Sequence, residues 1–121
     1  MKTAHDPRHL HRISLMQKLF SHSFGNTDDP EIDTIVSHLP ETDAKIQAAA
    51  PEWPLNKISK IDLAVLRLAV HEITVSRDQP VKVVIDEAVE LGKEFGNVAS
   101  PSFVNGVLGT IVSADQPKEK S

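Results

Sequence analysis

Proline and glycine divide this chain into segments of helix length, and this division limits the possible folds more than any other feature of the sequence. A capping side chain stands directly before a proline, which favours the first turn of a helix, at Asp6-Pro7, Asp29-Pro30 and Ser100-Pro101. Glycine-asparagine pairs, which end helices, follow at residues 25–26 and 96–97. Between these signals apolar residues recur three or four positions apart. The pattern predicts an all-α protein of about six or seven helices.

The most apolar stretch of the chain, Leu63 to Val70, is interrupted only by Arg67. Because apolar residues lie nearly all round a helix built on this stretch, we expect it to be central and buried. The 121 residues suffice for a single domain. We expect the polar tail at 114–121 to fray. Asn105-Gly106 is also a hairpin signal, but the short flanking apolar runs favour a helix there.

Composition predicts a cytoplasmic protein. The chain has no cysteine, which excludes disulfides and thiolate metal sites and fits a reducing compartment. No apolar run is long enough to span a membrane. The first residues also lack the apolar segment of a signal peptide.

The sequence offers little to support an enzyme. Glu87, Glu90 and Glu94 follow one side of an amphipathic helix, so a solvated face is a better interpretation than an acid–base pair. His71-Glu72 begins like a zinc-protease motif, but Val75 occupies the position of the second histidine. The chain also lacks a glycine-rich phosphate loop and a nucleophile elbow.

A metal or another cofactor is not expected either. Histidines cluster near the first helix at His5, His9 and His11, next to Asp6. Pro7 breaks the helical register among them, and neither cysteine nor an acidic cluster completes a ligand set.

Charge is distributed unevenly along the chain. Residues 1–24 carry four basic side chains and one acidic one, whereas the remaining residues are net acidic and bring the total to −4. A basic end on an acidic body favours a local site for a polyanion. A small charge imbalance on a solvated surface is the alternative.

The start of the first helix is the best candidate for that site. Arg8, His9, His11 and Arg12 fall in its first turns, where free backbone N–H groups point outward. Cations there oppose the helix dipole, so local stability does not explain them, whereas a phosphate would contact both amides and side chains. Because the body is acidic, we expect a short single-stranded RNA with about 2–4 phosphate contacts rather than a duplex. Phe103 is a candidate stacking platform, with core packing as its alternative role.

Several motifs taken together resemble the transcription antitermination factor NusB family. They are DLAVLRLAVHE at 62–72, PVKVVIDEAVEL at 80–91, Phe95-Gly96 and FVNGVL at 103–108. RHLHR at 8–12 stands where that family has an arginine-rich motif, and QKLF at 17–20 matches a further family step. The resemblance covers residues 8–24 and about 53–112.

The resemblance implies an adaptor without catalytic activity, in two packed helical subdomains over about 7–50 and 53–113. It would bind the boxA segment of nascent RNA together with NusE, a small-subunit ribosomal protein, and help RNA polymerase to read through terminators in ribosomal RNA transcription. By position, Arg8 and Arg12 would contact RNA, as would the segment around Asn97, Ser100 and Phe103. The positions matching the family's protein-partner face are Phe20, Asp62 and Glu72.

This chain departs from the family pattern at several positions. His9 and His11 dilute the arginine-rich motif, Asp86 stands where asparagine is common, and Gly92 stands where alanine is usual. The segment from 26 to 53 is shorter than expected, which predicts a shortened first subdomain. If the histidines contribute, RNA binding should be tighter at about pH 6 than at about pH 8.

There are two alternatives to the RNA-binding adaptor. The diluted motif favours a protein-interaction module that keeps the NusE-facing surface with weak or no RNA binding. The second alternative is a stand-alone relative of the RNA-binding domain that is fused to rRNA cytosine methyltransferases.

Overall fold

The computed structural model describes residues 6–26 and 29–115, and in these ranges the chain folds into six α-helices without a β-strand. The helices are α1 Pro7–His22, α2 Asp33–Ser37, α3 Leu39–Ala49, α4 Lys60–His71, α5 Val81–Phe95 and α6 Ser100–Asp115. Short 3-10 turns lie at Pro30–Ile32 and Leu55–Lys57, and a π-helical turn, Glu72–Ser76, continues α4. The all-α prediction is confirmed. Among the helices described, none is long and apolar enough to cross a bilayer.

Side-chain caps begin several of these segments. Asp6 accepts a hydrogen bond from the backbone N–H of Arg8 at 2.9 Å, and Ser59 accepts one from the N–H of Asp62 at 3.1 Å. Asp29 accepts a hydrogen bond from the backbone N–H of Glu31 at 3.0 Å and so caps the 3-10 turn before α2. Each cap satisfies a backbone donor that the first helical turn leaves free.

Pro40 begins a helix rather than ending one. Helix α2 ends at Ser37, and Pro40 lies in the first turn of α3. Proline is tolerated there because a first-turn N–H has no partner within the helix. At the other end of the chain, Asn105-Gly106 lies inside α6, so the hairpin signal has no effect.

Helix α4 is central and buried, as predicted. It packs against α1, α3, α5 and α6, and Val65, Leu66 and Val70 are fully buried. One core cluster joins these side chains to Met16 and Leu19 of α1 and to apolar residues of every other α-helix. The division into two subdomains stays a prediction. Helix α6 continues through Asp115, and the rest of the predicted tail, 116–121, lies outside the described residues, as does His5.

Gly96 lets α6 begin directly against the end of α5. A Cβ atom added at Gly96 would lie 2.2 Å from Ser100 Oγ, which no real side chain allows. At Gly92 an added Cβ would lie 3.4 Å from the Ser100 carbonyl carbon, an ordinary contact. This close approach fixes the turn at 96–99 beside the carboxyl end of α5.

Candidate nucleic-acid interface

Arg12 is buried and paired within the protein. Its Nε and Nη2 donate to the two carboxylate oxygens of Glu72 at 2.8 and 2.7 Å, and its Nη1 lies 3.8 Å from Glu87. The hydrogen bonds to Glu72 raise the pKa of Arg12. Only 8% of Arg12 is exposed, so this conformation does not present its guanidinium to RNA. Glu72, assigned by resemblance to a partner face, holds Arg12 instead.

His9 is buried between two carboxylates of α5. Its Nδ1 lies 2.9 Å from Glu87 Oε1, and its Nε2 lies 3.2 Å from Glu94 Oε1. Because a carboxylate accepts hydrogen bonds, contact on both sides requires a proton on each ring nitrogen. The hydrogen bond to Glu87, supported by Glu94, accordingly raises the pKa of His9. His9 therefore also points inward rather than toward a ligand.

These side chains form an internal cluster, defined here as the latch: His9 and Arg12 of α1 with Glu72, Glu87 and Glu94. The latch ties the start of α1 to α5 and to the turn that follows α4. The expected solvated face of α5 is wrong for Glu87, which is buried. Sequence reasoning missed the latch, although the seven-residue spacing of Glu87 and Glu94 places both on one side of α5.

Arg8 and His11 remain on the surface at the start of α1. Both are exposed, and within 6–26 and 29–115 no acidic side chain lies within ion-pair distance of the Arg8 guanidinium. His11 lies 3.7 Å from Glu31, with both side chains about half exposed. The predicted four-residue basic site is therefore reduced to one free guanidinium and one histidine beside a carboxylate.

The turn at 96–99 presents some of the predicted residues and buries another. Asn97 is exposed, and its Oδ1 accepts a hydrogen bond from the Ala99 N–H at 2.8 Å. Ser100 is fully buried, and its Oγ accepts from the Asn97 N–H at 2.9 Å. Ser100 thus holds the turn in shape, and of these two residues Asn97 is the one that faces outward. The predicted contact of Ser100 with RNA does not fit its burial.

An aromatic pair lies next to this turn. Phe103 is partly buried and meets Trp53 edge to face, with ring centroids 6.4 Å apart. Trp53 is 50% exposed, and sequence reasoning did not place it at a site. Both rings line a pocket of about 230 Å³ together with Lys57, Asp62 and Asn97. The pocket therefore brings together residues that the resemblance assigned to RNA and one that it assigned to a protein partner.

Phe20, the remaining position expected at the partner face, belongs to a second surface. It is partly buried and packs edge-on against Phe24 at 5.0 Å between ring centroids. Phe24 is 61% exposed, and the Lys60 ammonium lies 5.6 Å from the centre of its ring. This apolar patch with one cation has the composition of a protein contact surface.

The helix start and the aromatic pocket are connected through the latch. Glu94, which binds His9, stands three residues before Asn97 in the chain. Arg8 and Phe103 line different pockets. One continuous surface joining them stays a prediction.

Fold and site together define a small all-α protein whose outer face offers a cation, an amide and two aromatic rings for binding. The NusB family model matches residues 11–113. The NusB proteins of Agathobacter rectalis and Chloroflexus aggregans are 48% and 50% identical over 80 and 78 residues, covering 66% and 63% of this chain. The solved structure of T. maritima NusB superposes with a TM-score of 0.80 at 34% identity, over 99% of this chain and 98% of that one.

The chain belongs to the NusB family. The family resemblance predicted from its motifs is confirmed. The two curated relatives are named transcription antitermination proteins rather than enzymes, in agreement with the expectation of a non-enzymatic chain. The matched stretch spans 61% and 52% of their own lengths.

Proposed function

We propose that this chain is an RNA-binding adaptor of transcription antitermination. It binds boxA-like single-stranded RNA together with NusE and promotes read-through by RNA polymerase in ribosomal RNA transcription, in the cytoplasm. Family membership and the names of the relatives support this proposal.

The proposed RNA contact rests on one observation: the accessible side chains are of the types that bind single-stranded RNA. Arg8 is a free cation for a phosphate, Asn97 offers an amide to a base edge, and Phe103 with Trp53 offers ring surface for stacking. Arg12 and His9 act indirectly, because the latch holds the first turn of α1 in place. NusE would contact the patch at Phe20.

A second candidate, a protein-interaction module without RNA binding, is favoured by the latch itself. Carboxylates of α5 and of the turn after α4 occupy two of the four basic side chains counted as RNA contacts. If Arg8 alone supplies too little attraction, only the patch of Phe20, Phe24 and Lys60 would remain functional.

The two candidates differ in the effect of removing one exposed cation of α1. Arg8→Ala should weaken binding of a boxA-like RNA in the presence of NusE and leave NusE binding unchanged. Lys18→Ala is the matched control, since Lys18 is another basic residue of α1 but pairs with Glu31 and Asp29 at 2.6 and 3.0 Å. No RNA binding by the parent chain or by either variant would favour the interaction module, whereas equal RNA binding by all three would show that Arg8 does not contact the RNA.

A further inference from the structure

The outer face of α6 carries no charge. A quarter of the chain's residues are charged, yet Asp115 is the first charged residue of this helix. The exposed residues before it are Ser102, Asn105, Gly106, Gly109, Thr110, Ser113 and Ala114. A surface helix that meets only water normally carries charged side chains on its outer face. The composition of this face therefore favours contact with another molecule.

Two glycines on this face have no packing role within one chain. A Cβ atom added at Gly106 or Gly109 would meet nothing within 4 Å in the described part of the chain. Glycine inside a helix is less favourable than alanine, because it loses more backbone entropy on folding. Gly96, by contrast, is required by the approach of Ser100. A close neighbour outside the chain would give Gly106 and Gly109 the same reason.

Helix α3 packs beside α6 and completes a groove with it, defined here as the α3–α6 groove. Two cavities of about 310 Å³ each adjoin along this groove, and both are lined by Ala49 and Thr110. Ala44 and Ala48, one turn apart on α3, are exposed and form the wall opposite α6. Small side chains on both walls let another helix approach closely.

The two ends of the α3–α6 groove carry opposite charges. Lys45 lines the end next to Ala114, and Glu52 lines the end next to Ser102. A second copy of the chain, turned end over end, would place its Glu52 beside Lys45 and its Lys45 beside Glu52. A second copy in the same direction would bring like charges together, which repel. The groove is thus complementary to itself in the antiparallel arrangement.

We propose that the α3–α6 groove is an interface between two copies of this chain. The copies pack antiparallel, α6 on α6 and α3 on α3. Thr110 then lies near the two-fold axis, and Gly106 of each copy faces Ala114 of the other. A face two helices wide and 16 residues long buries roughly 1,000 Å² in total, near the lower limit for a specific interface. The dimer is therefore weak and depends on concentration.

This inference goes beyond RNA binding and does not depend on it. Arg8 lines other cavities, at the start of α1, so the dimer leaves this cation accessible. The Ser102 end of the groove reaches Trp53 and Phe103. Because the copies are antiparallel, the dimer would place the two pairs of rings at opposite ends of one interface.

Sedimentation velocity over a concentration series of the full chain tests the dimer. We expect the parent chain to pass from monomer to dimer with a Kd on the order of 10–100 μM, as suits a small interface. Gly106→Leu should weaken the dimer at least about tenfold, because leucine has space within one chain but overlaps the second copy. Circular dichroism should show that this variant is as helical as the parent.

Asn105→Leu is the matched control for added bulk. Asn105 is exposed on α6 but lies about 100° round the helix from Gly106, on the side away from α3. This variant should dimerise as the parent does.

A charge exchange tests the antiparallel arrangement itself. Lys45→Glu alone would place two carboxylates together at each end of the interface, and Glu52→Lys alone would place two ammonium groups there. Each single variant should weaken the dimer about tenfold, because two pairs are reversed by symmetry. The double variant restores opposite charges and should recover the affinity of the parent chain.

The outcomes decide between this interface and other uses of the groove. A parent chain that stays monomeric throughout the series overturns the proposal. So does a dimer that Gly106→Leu and Asn105→Leu weaken equally, or one that the double charge exchange fails to restore. If the parent is monomeric and Gly106→Leu loses NusE or RNA, the groove belongs to that partner. RNA binding itself is judged separately, by Arg8→Ala.

Discussion

Arg8 and Arg12 lie one helical turn apart on α1 and have different surroundings. The Arg12 guanidinium is buried and forms a two-pronged hydrogen bond with Glu72. Arg8 faces solvent and forms no ion pair with any described acidic residue. One arginine thus stabilises the fold, and the other is free to bind a ligand.

Alanine at these two positions should therefore have different effects on stability. Arg12→Ala leaves the Glu72 carboxylate buried without its partner and should lower the free energy of unfolding by about 3–5 kcal/mol. Arg8→Ala should change it by less than about 0.5 kcal/mol, as is usual on a surface. Urea unfolding measures both, and Arg12→Lys tests whether charge alone suffices without the planar fork. Equal stability of the two alanine variants would contradict the latch.

His9 should make stability depend on pH. The hydrogen bond to Glu87 raises its pKa above the value of about 6.5 expected in the unfolded chain. The imidazolium therefore stabilises the fold fully below about pH 6.5, and this contribution is lost as pH rises through the folded pKa. Burial lowers the pKa of His71, which acts in the opposite sense and favours the fold above about pH 6.5.

A comparison with His9→Gln isolates the pH-dependent contribution of His9 to stability. The excess unfolding free energy of the parent chain over this variant should shrink steadily between about pH 5.5 and 8.5, because His71 is common to both. A difference that is constant with pH would show that His9 is not charged between Glu87 and Glu94.

At the residue scale, sequence reasoning located the unusual cations but not their partners. Their position at a helix start marked Arg8, His9 and Arg12 as unexplained by local stability. The partners of Arg12 and His9 stand 60 and 78 residues further along the chain. No local pattern connects residues at that separation, so these contacts emerge only from the packing of α1 on α4 and α5.

At the element scale, the end of α5 and the start of α6 pack so closely that the position between them, Gly96, has no room for a side chain. Gly96 lies against Ser100, whose Oγ forms the turn with Asn97. Gly92 faces the same serine with room for a methyl group. The two glycines therefore have different roles, although both stand at the end of one helix.

Alanine substitutions distinguish them. Gly96→Ala forces overlap with Ser100 and should destabilise the protein by about 1–3 kcal/mol. Gly92→Ala restores the residue usual in the family and should stabilise it by up to about 1 kcal/mol, since alanine is the better helix former. Thermal unfolding of both variants measures the contrast. A loss of stability in Gly92→Ala as large as in Gly96→Ala would contradict the packing described.

Local sequence signals predicted the elements well because their causes are local. Asp6 and Ser59 cap where their side chains reach the first free N–H groups. The position of Pro40 is ambiguous from sequence alone, because proline is compatible both with the end of one helix and with the first turn of the next. The short α2 ends before it, in a break that the apolar spacing does not reveal.

At the scale of the whole molecule, the basic end of an acidic chain is largely neutralised inside the fold. Residues 25–121 carry a net charge of −7 against +3 for residues 1–24, and the latch pairs His9 and Arg12 with carboxylates. The surface attraction for a polyanion is therefore weaker than the sequence suggests. A partner protein that adds contacts would compensate for this weakness.

The salt dependence of RNA binding should reflect this small number of contacts. Arg8 and Lys57 are the exposed cations next to the candidate sites. Two phosphate contacts, the lower limit of the 2–4 expected from sequence, give a slope of about −1.4 in a plot of log affinity against log salt for a single strand. Arg8→Ala should reduce the slope to about −0.7. A slope near −3 would indicate that Arg12 and His9 leave the latch to bind RNA.

Cross-linking is the most direct test of where RNA binds. A boxA-like RNA carrying 4-thiouridine is bound with NusE present, irradiated, and its adducts are mapped by mass spectrometry. We predict adducts at Trp53 and Phe103, with none at Phe20 or Phe24, which belong to the protein-facing patch. Adducts confined to that patch, or no adduct on this chain, would contradict the proposed function.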